Sequence, residues 1–171
     1  MRDPVLLIVC GLPYAGKTAM SRGIAEHLDN VVHIDIDQIH AARGLGLGGE
    51  PVALAEWPMS YQIAYERAGE ALSNGQHVIF DATNYSCAQR DVLRMAARKA
   101  GARAAVVLVD ATPEACRDRW HADTDGGMLE HEFERVVDRF ERPTAAERVL
   151  IFLPGMDVRD LVTGLDQLFE Q

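Results

Sequence analysis

The feature that most constrains this chain is a glycine-rich loop between a strand-like and a helix-like segment. The apolar run VLLIVC occupies residues 5–10, and its length and the glycine after it predict a strand that is buried on both faces. GLPYAGKT follows over residues 11–18, and apolar residues then recur at helical spacing up to residue 28. This order predicts a phosphate-binding loop, because glycines let backbone N–H groups turn towards an anion at a helix N-terminus.

The loop fits the pattern G-x-x-x-x-G-K-[ST], in which the side chains have separate tasks. We expect Lys17 to reach the β- and γ-phosphates of a nucleoside triphosphate and the Thr18 hydroxyl to ligate Mg²⁺. The predicted nucleotide-binding residues are Gly11, Pro13, Tyr14, Ala15, Gly16, Lys17, Thr18 and Ala19. An ordinary glycine-rich turn is the alternative, and the flanking strand and helix argue against it. ATP and Mg²⁺ are the expected cofactors, since no N/T-K-x-D guanine-reading motif follows the fourth strand.

Strand-like and helix-like segments alternate along the rest of the chain. Further strands are predicted at 31–34, 77–80, 104–109 and 149–153, and helices at about 53–74, 88–100, 113–122, 129–141 and 157–169. Such alternation predicts an α/β fold of three layers, with a five-stranded, mainly parallel sheet covered by helices on both faces. Ligands of such sheets bind beyond the carboxyl ends of the strands. We expect one domain over residues 1–171, with GLGLGGEP at 44–51 as a mobile loop beside the substrate.

Charge and cysteine usage restrict the partners and the compartment. The formal net charge of −9 repels polyanions, so a long nucleic acid or an anionic membrane is a less favoured partner. The three cysteines are far apart and show neither a disulfide framework nor zinc-ligand spacing. The N-terminus lacks a signal-peptide pattern and no apolar run approaches a membrane span in length, so we expect a cytoplasmic location. The oligomeric state is not predicted.

The second strand ends in HIDIDQIH, which contains Asp35 and Asp37. If the strand continues, the two carboxylates lie on the same side, near the sheet edge where ligands bind. One carboxylate could then accept the proton of an attacking hydroxyl, and the other could hold substrate or a metal-bound water. The alternative is that Asp37 caps the helix that begins at QIHAA while Asp35 faces solvent.

The third strand ends in HVIFDATN, an apolar run followed by Asp81. A carboxylate at this position of a nucleotide-binding sheet orients Mg²⁺ through water, so Asp81 joins Thr18 as a predicted metal-site residue. Asn84 follows on the loop and is predicted to contact the substrate. A simple turn residue is the alternative for Asn84.

Taken together, GLPYAGKT, DIDQIH and VIFDATN resemble the motifs of a group of P-loop kinases, and the resemblance covers nearly the whole chain. The group includes polynucleotide 5′-hydroxyl kinases, zeta-toxin-like sugar-nucleotide kinases, gluconate and adenylylsulfate kinases, and seryl-tRNA kinase-like proteins. The resemblance implies a P-loop NTPase fold, with Asp37 as the general base and with Asp35 and His40 fixing the acceptor. DIDQIH is similar to the D-G-D-x-x-H of gluconate kinases, whereas DATN looks more like the polynucleotide kinases.

The resemblance also implies a helical lid, which we place at about residues 117–142. Related kinases carry two arginines four residues apart in the lid, and Arg119 matches the first of them. Arg119 is therefore predicted to be catalytic, stabilising charge on the phosphoryl group. The second arginine falls on Asp123, and Arg117 or Arg135 could replace it. Otherwise the remaining lid arginines are expected on solvated helix faces, paired with acidic neighbours.

Three aromatic residues, Trp57, Tyr61 and Tyr65, recur at helical spacing beside the GLGLGGEP loop. This pattern favours packing in the core over a wall on which a substrate stacks. Between residues 38 and 75 only Arg43 and Arg67 are firm cations, which disfavours a track for nucleic acid phosphates.

The predicted function is transfer of the γ-phosphoryl group of ATP to a hydroxyl of a small molecule. A polynucleotide or RNA 5′-hydroxyl kinase is the first alternative. A nucleotide-binding ATPase switch without a phosphorylated product is the second, and it belongs to a different class of protein.

Overall fold

The computed structural model of the chain describes residues 3–123 and 127–170. Five strands are present within them: β1 Val5–Cys10, β2 Val31–Asp35, β3 His77–Asp81, β4 Arg103–Val109 and β5 Val149–Phe152. The helices are α1 Lys17–Ala25, α2 Ile36–Ala42, α3 Trp57–Ser73, α4 Cys87–Lys99, α5 Pro113–Ala122, α6 Glu130–Asp138 and α7 Val158–Glu170. Every predicted strand is therefore found, and the helices differ from prediction mainly at their ends.

The strands form one sheet in the order β2-β3-β1-β4-β5, and each neighbouring pair among the described strands is parallel. This confirms the predicted five-stranded α/β fold. Because the strands are parallel, their carboxyl ends lie at one edge, where the loops after β1, β2 and β3 meet. That edge carries the phosphate loop, the DIDQIH segment and the DATN segment.

Apolar residues on both faces of the sheet explain why β1 is a continuous apolar run. Leu6 and Ile8 pack on one face with α3 and α4, and Leu7 and Val9 pack on the opposite face with α1 and α7. Each of these four side chains is at most 2% exposed. Helices therefore cover both faces, which gives the predicted three layers.

The helix predicted at 53–74 begins later than expected. A single 3-10 turn at Leu54–Glu56 precedes α3, which starts at Trp57 and carries Pro58 in its first turn. Proline fits this position because the first N–H groups of a helix have no partner within it. α5 and α6 occupy the segment predicted as the lid, and α6 ends at Asp138 rather than at residue 141.

Within residues 3–123 and 127–170, no helix is both long enough and apolar enough to span a lipid bilayer.

Candidate functional site

The phosphate loop lies between β1 and α1, and two of its glycines have conformations that other residues rarely adopt. Gly11 has a φ of 154°, and a Cβ atom there would lie 2.7 Å from the carbonyl oxygen of Val109. Gly16 has a φ of 98° and directly precedes α1, with no atom within 4 Å of a Cβ added there. The loop can therefore pack against β4 at one end and leave open space for an anion at the helix N-terminus.

Lys17 begins α1, and its Nζ atom donates a hydrogen bond to the carbonyl oxygen of Leu12 at 2.8 Å. The ammonium group is thus held over the loop that it follows in sequence. Burial lowers the pKa of Lys17, and the carboxylates of Asp81 and Asp37 oppose this shift. The three side chains therefore interact electrostatically at the sheet edge, and their predicted catalytic and metal-binding roles stay predictions.

Asp81 is the last residue of β3 and is only 3% exposed. Its backbone lies opposite Val9 of β1 in the parallel register, so the carboxylate reaches the edge next to the phosphate loop. His33 of β2, to which the sequence assigns no role, places its Nε2 atom 3.3 Å from Oδ2 of Asp81. This contact orients the carboxylate from the neighbouring strand.

The residues at this point fit Mg²⁺. Thr18 and Asp81 supply oxygen atoms, which this ion prefers, and Mg²⁺ usually keeps several waters and substrate phosphates as its other ligands. Among the described residues, no group of three or more His, Cys, Asp or Glu side chains could hold a metal ion by itself. A metal shared with phosphates is compatible with the oxygen donors of Thr18 and Asp81.

The DIDQIH segment differs from the prediction that the strand continues through Asp37. β2 ends at Asp35, and α2 begins at once at Ile36. Oδ1 of Asp35 accepts a hydrogen bond from the backbone N–H of Asp37 at 2.9 Å, and Oδ2 accepts one from Nε2 of Gln38 at 3.3 Å. Asp35 is therefore the N-cap of α2 and is buried, so the alternative that assigned the cap to Asp37 is also wrong. The predicted substrate contact of Asp35 stays a prediction, and both its oxygens already hold partners.

Asp37 lies in the first turn of α2, and its side chain is 82% exposed in the open cleft. Desolvation by the surrounding cleft walls raises the pKa of Asp37 above its usual 3.8, and the nearby Asp35 carboxylate raises it further. The Lys17 ammonium group lowers it. The structure thus gives Asp37 an accessible carboxylate whose proton affinity is higher than that of an ordinary aspartate.

His40 lies one turn after Asp37 on α2 and is only 2% exposed. Its Nδ1 atom is 3.9 Å from Oδ1 of Asp37, and its Nε2 atom has no hydrogen-bond partner within the described residues. Burial lowers the pKa of His40, as does the charge of Arg43, so the ring is neutral at pH 7. A buried ring nitrogen without a partner is costly, and it marks a place where a ligand can complete the hydrogen bonding.

Two adjoining cavities open beside Asp37. The near cavity, of about 440 Å³, includes Tyr14 of the phosphate loop and both Asp37 and His40. The far cavity, of about 320 Å³, extends between α3 and α6. The two share the lining residues Trp57, Thr83, Met128 and Glu132, so they form one continuous cleft.

A chain of aromatic rings leads from the cleft into the core. The centroids of His40 and Trp57 are 4.6 Å apart, those of Trp57 and Tyr61 6.1 Å, and those of Tyr61 and Tyr65 5.8 Å. Tyr65 then stacks on Phe80 of β3 at 5.6 Å. The favoured prediction of core packing fits all three residues of α3, which pack against the buried core, and Trp57 and Tyr61 also line the far cavity.

Asn84 takes a position that differs from a substrate contact. Its side chain is fully buried, and Nδ2 donates to the carbonyl oxygen of Val9 at 2.7 Å. The backbone carbonyl oxygen of Asn84 accepts a hydrogen bond from Arg90, which forms a buried ion pair with Glu147. Asn84 is not among the residues that line either cavity. The observed contacts fix the DATN loop against the end of β1.

The lid arginines divide into different roles. Arg119 donates to the carbonyl oxygens of Tyr14 and Ala15 in the phosphate loop, at 3.1 Å in both cases. Arg117 pairs with Glu134, as its expected solvated position implies, but Arg142 pairs with Asp110 after β4. Arg135, expected on a solvated face, lines the far cavity instead. Residues 124–126 of the DTDGG segment lie outside the described residues.

Arg43, the cation nearest to Asp37 in the predicted acceptor region, is held by other protein groups. Its Nη1 atom donates to the carbonyl oxygen of Glu56 at 2.8 Å and to Oγ of Ser60 at 2.7 Å. The guanidinium also pairs with the Glu56 carboxylate. Arg43 therefore joins the end of α2 to the start of α3.

Solved structures of similar fold match the chain over almost its full length. A putative kinase from Chloroflexus aurantiacus J-10-fl matches with a TM-score of 0.77 and 19% identity, over 97% of this chain and 98% of that chain. Kti12 from Chaetomium thermophilum, solved in complex with ADP-AlF3, matches with a TM-score of 0.73 and 20% identity, over 96% and 97%. A gluconokinase from Sinorhizobium meliloti 1021 matches with a TM-score of 0.69 and 21% identity, over 99% and 96%.

At these identities the structural similarity establishes the fold. No curated protein sequence matches the chain significantly. The model of the family AAA_33, described as an AAA domain, matches residues 6–143, which include the phosphate loop, Asp37, Asp81 and helices α5 and α6. Since this match spans well over half of its residues, the chain belongs to the AAA_33 family.

Proposed function

We propose that this protein is a kinase that transfers the γ-phosphoryl group of ATP to a hydroxyl group of a small molecule, with Mg²⁺ as cofactor. The observation that carries the proposal is the position of Asp37. Its accessible carboxylate lies in a cleft that also includes Tyr14 of the phosphate loop, and it interacts electrostatically with Lys17. Similar folds in a gluconokinase, a putative kinase and an ADP-AlF3 complex of Kti12 support nucleotide chemistry at this edge.

The proposed step has Asp37 as the general base. The acceptor oxygen forms a bond to the γ-phosphorus, the bond from that phosphorus to the bridging β–γ oxygen breaks, and ADP leaves. The acceptor proton passes to the Asp37 carboxylate. A raised pKa makes Asp37 a better proton acceptor than an ordinary aspartate, because its carboxylate has a higher affinity for the proton.

Other side chains would position and stabilise the reacting groups. Lys17 and Arg119 would stabilise negative charge on the phosphoryl group, the first from the start of α1 and the second from α5 above the loop. Thr18 and Asp81 would hold Mg²⁺, which when bound neutralises charge on the phosphate oxygens. His40 would complete its hydrogen bonding with the acceptor.

The test is incubation with γ-labelled ATP, Mg²⁺ and a metabolite extract, with and without 5′-hydroxyl oligonucleotides, in parallel with Asp37→Asn. We expect label in a small molecule, lost in the variant. Label only on oligonucleotides would replace the proposal with a polynucleotide kinase. Label only as inorganic phosphate, at equal rates in both proteins, would favour an ATPase switch and exclude Asp37 as the base.

A further inference from the structure

The lining of the cleft carries an excess of negative charge. The near cavity includes the carboxylates of Asp37, Glu50, Asp123 and Glu132, and none of its described lining residues is a lysine or an arginine. Asp123 is engaged with the Tyr14 hydroxyl. Glu132 accepts a hydrogen bond from the backbone N–H of Leu129 at 3.2 Å. Neither Glu50 nor Glu132 forms an ion pair with a described residue.

The charge of Lys17 acts on Asp37, whereas the arginines around the cleft do not pair with Glu50 or Glu132. Arg43 is held by Glu56 and Ser60, and Arg117 is paired with Glu134. Arg135 lines the far cavity about one helical turn beyond Glu132, and the two side chains form no ion pair. A nucleoside triphosphate bound to the neighbouring loop would add further negative charge. The near cavity is therefore unfavourable for an anionic acceptor.

The same cleft offers a surface for a flat apolar group. Trp57, Tyr61 and Tyr85 line the far cavity together with Leu54 and Pro58. Burial raises the pKa of Tyr61, so its ring stays neutral, and an aromatic face also attracts an ammonium group. His40 lines the near part of this cleft, and its buried Nε2 atom has no hydrogen-bond partner among the described residues. It is an independent sign that a polar ligand completes this wall.

Glu50 and Glu132 line the same cavity, and the GLGLGGEP loop at 44–51 that carries Glu50 packs close to the segment before α6. A Cβ atom on Gly127 would lie 3.0 Å from the carbonyl oxygen of Gly49 and 3.2 Å from that of Glu50. The loop backbone thus packs against the segment that leads into α6. The two carboxylates border one cavity from opposite parts of the sequence.

We infer that the acceptor is a cationic amino alcohol with a flat, apolar body. This inference rests on the proposed transfer to a hydroxyl and narrows its substrate class. The hydroxyl lies at Asp37, and the protonated amine lies by Glu50 and Glu132. The apolar body packs against Trp57 and Tyr61 towards the far cavity.

Three matched probes test the charge preference: phenylalaninol, which is cationic, N-acetylphenylalaninol, which is neutral, and phenyllactate, which is anionic. Binding of each to the full chain is measured by calorimetry or ligand-observed NMR, in the presence of Mg²⁺ and a non-hydrolysable ATP analogue. We expect phenylalaninol to bind roughly fivefold or more tightly than the neutral probe, and phenyllactate to bind most weakly. Equal binding of the three, including no binding by any of them at roughly 10 mM, or tightest binding of phenyllactate would overturn the inference.

Matched variants locate the preference. Glu50→Gln and Glu132→Gln should each reduce the advantage of the cationic probe severalfold, and glutamine at residue 132 can still accept the Leu129 hydrogen bond. Glu130→Gln, an exposed neighbour on the same helix that lines neither cavity, is the control and should leave it unchanged. A loss of the advantage in Glu130→Gln equal to that in Glu132→Gln would contradict the location.

Label transfer separates this inference from the proposed function. Label transferred preferentially to anionic hydroxyl compounds would uphold the kinase and overturn the amino alcohol. A clear preference of the cleft for the cationic probe, with label released from ATP only as inorganic phosphate for every hydroxyl compound offered, would overturn the kinase and with it the acceptor role, and would leave the amino alcohol as a ligand of the cleft.

Discussion

The guanidinium of Arg90 and the carboxylate of Glu147 form a buried ion pair, with 2.7 Å between Nε and Oε2. Neither side chain is more than 3% exposed. Arg90 also donates to the carbonyl oxygen of Asn84, so the pair ties α4 and the segment before β5 to the loop after β3. This contact supports the phosphate loop from behind, because Asn84 in turn bonds to the end of β1.

Arg90→Met is expected to lower the free energy of unfolding by about 3–5 kcal/mol, because it leaves the Glu147 carboxylate buried without a charge partner. Urea unfolding followed by circular dichroism measures the change. Arg94→Met is the matched control, since Arg94 pairs with a half-exposed Asp91 and should cost under about 1 kcal/mol. Similar losses in the two variants would show that the buried pair has no special weight.

The same pair should make stability depend on pH. Burial raises the pKa of Glu147, but the hydrogen bonds from Arg90 and from the Thr144 backbone, together with the charges of Arg90 and Arg94, outweigh it and hold the pKa below its usual 4.5. A carboxyl group with a lowered folded pKa contributes stability above its unfolded pKa, and that contribution is lost as the pH falls through the folded pKa. The stability difference between the wild type and Glu147→Gln should therefore shrink between pH 6 and the acid range below about pH 4. A constant difference across that range would contradict the assignment.

Asp37→Asn should reduce phosphoryl transfer by about 10²-fold or more while nucleotide binding is retained. The folded protein raises the pKa of Asp37, so removal of this charge from a side chain that is 82% exposed should not lower the melting temperature at pH 7. Single-turnover transfer and differential scanning fluorimetry measure the two effects. Asp118→Asn on the exposed side of α5 is the control, and a loss of stability in Asp37→Asn with intact transfer would reverse the assignment.

Gly11→Ala and Gly16→Ala should fail in different ways. Both place a Cβ at positive φ, but only the one on Gly11 meets a backbone atom, the Val109 carbonyl oxygen. Gly11→Ala should therefore unfold more easily than Gly16→Ala, by roughly 1–3 kcal/mol. Gly16→Ala should stay folded and lose nucleotide affinity, because the added methyl group occupies the open side of the phosphate loop. Thermal unfolding and nucleotide titration separate the two results, and equal stabilities would contradict the close approach.

Gly127→Ala should affect the acceptor more than the nucleotide. The added methyl group lies 3.0 Å from the Gly49 carbonyl oxygen, so the GLGLGGEP loop at 44–51 must move by a few tenths of an ångström. We expect a severalfold rise in KM for the acceptor with an unchanged Kd for ATP, since the atoms nearest to the added methyl group belong to Gly49 and Glu50 and not to the phosphate loop. A larger effect on the nucleotide than on the acceptor would contradict this division.

The fold could be predicted from the sequence because its signals are local. The apolar run of β1, the glycines of the loop and the proline at the start of α5 each report their own conformation. The contact of Asp81 with His33 could not be predicted, because it depends on the register between β2 and β3. The position of Arg135 in the cleft could not be predicted either, because it depends on which face of α6 lies towards the cleft.

The DIDQIH segment shows where local reasoning ended. Its alternating apolar and acidic residues are typical of a strand, yet the chain turns into a helix at Ile36, because the side chain of Asp35 satisfies an N–H group at the helix start. The aromatic spacing of α3 correctly predicted a helix, but it did not show that the first turns of this helix line a cavity. The first difference is local, whereas the second arises from the placement of α3 beside α6, which no single segment contains.

The two halves of the cleft come from different parts of the architecture. The phosphate loop and Asp81 belong to strand ends whose positions the sheet dictates, whereas Glu50, Trp57 and Glu132 come from a connecting loop and helix starts outside the sheet. Substitutions in those outer segments can therefore exchange one acceptor for another without altering the strands that hold the nucleotide. A fold divided in this way can acquire new substrates by drift in its periphery, while its phosphate chemistry is inherited unchanged.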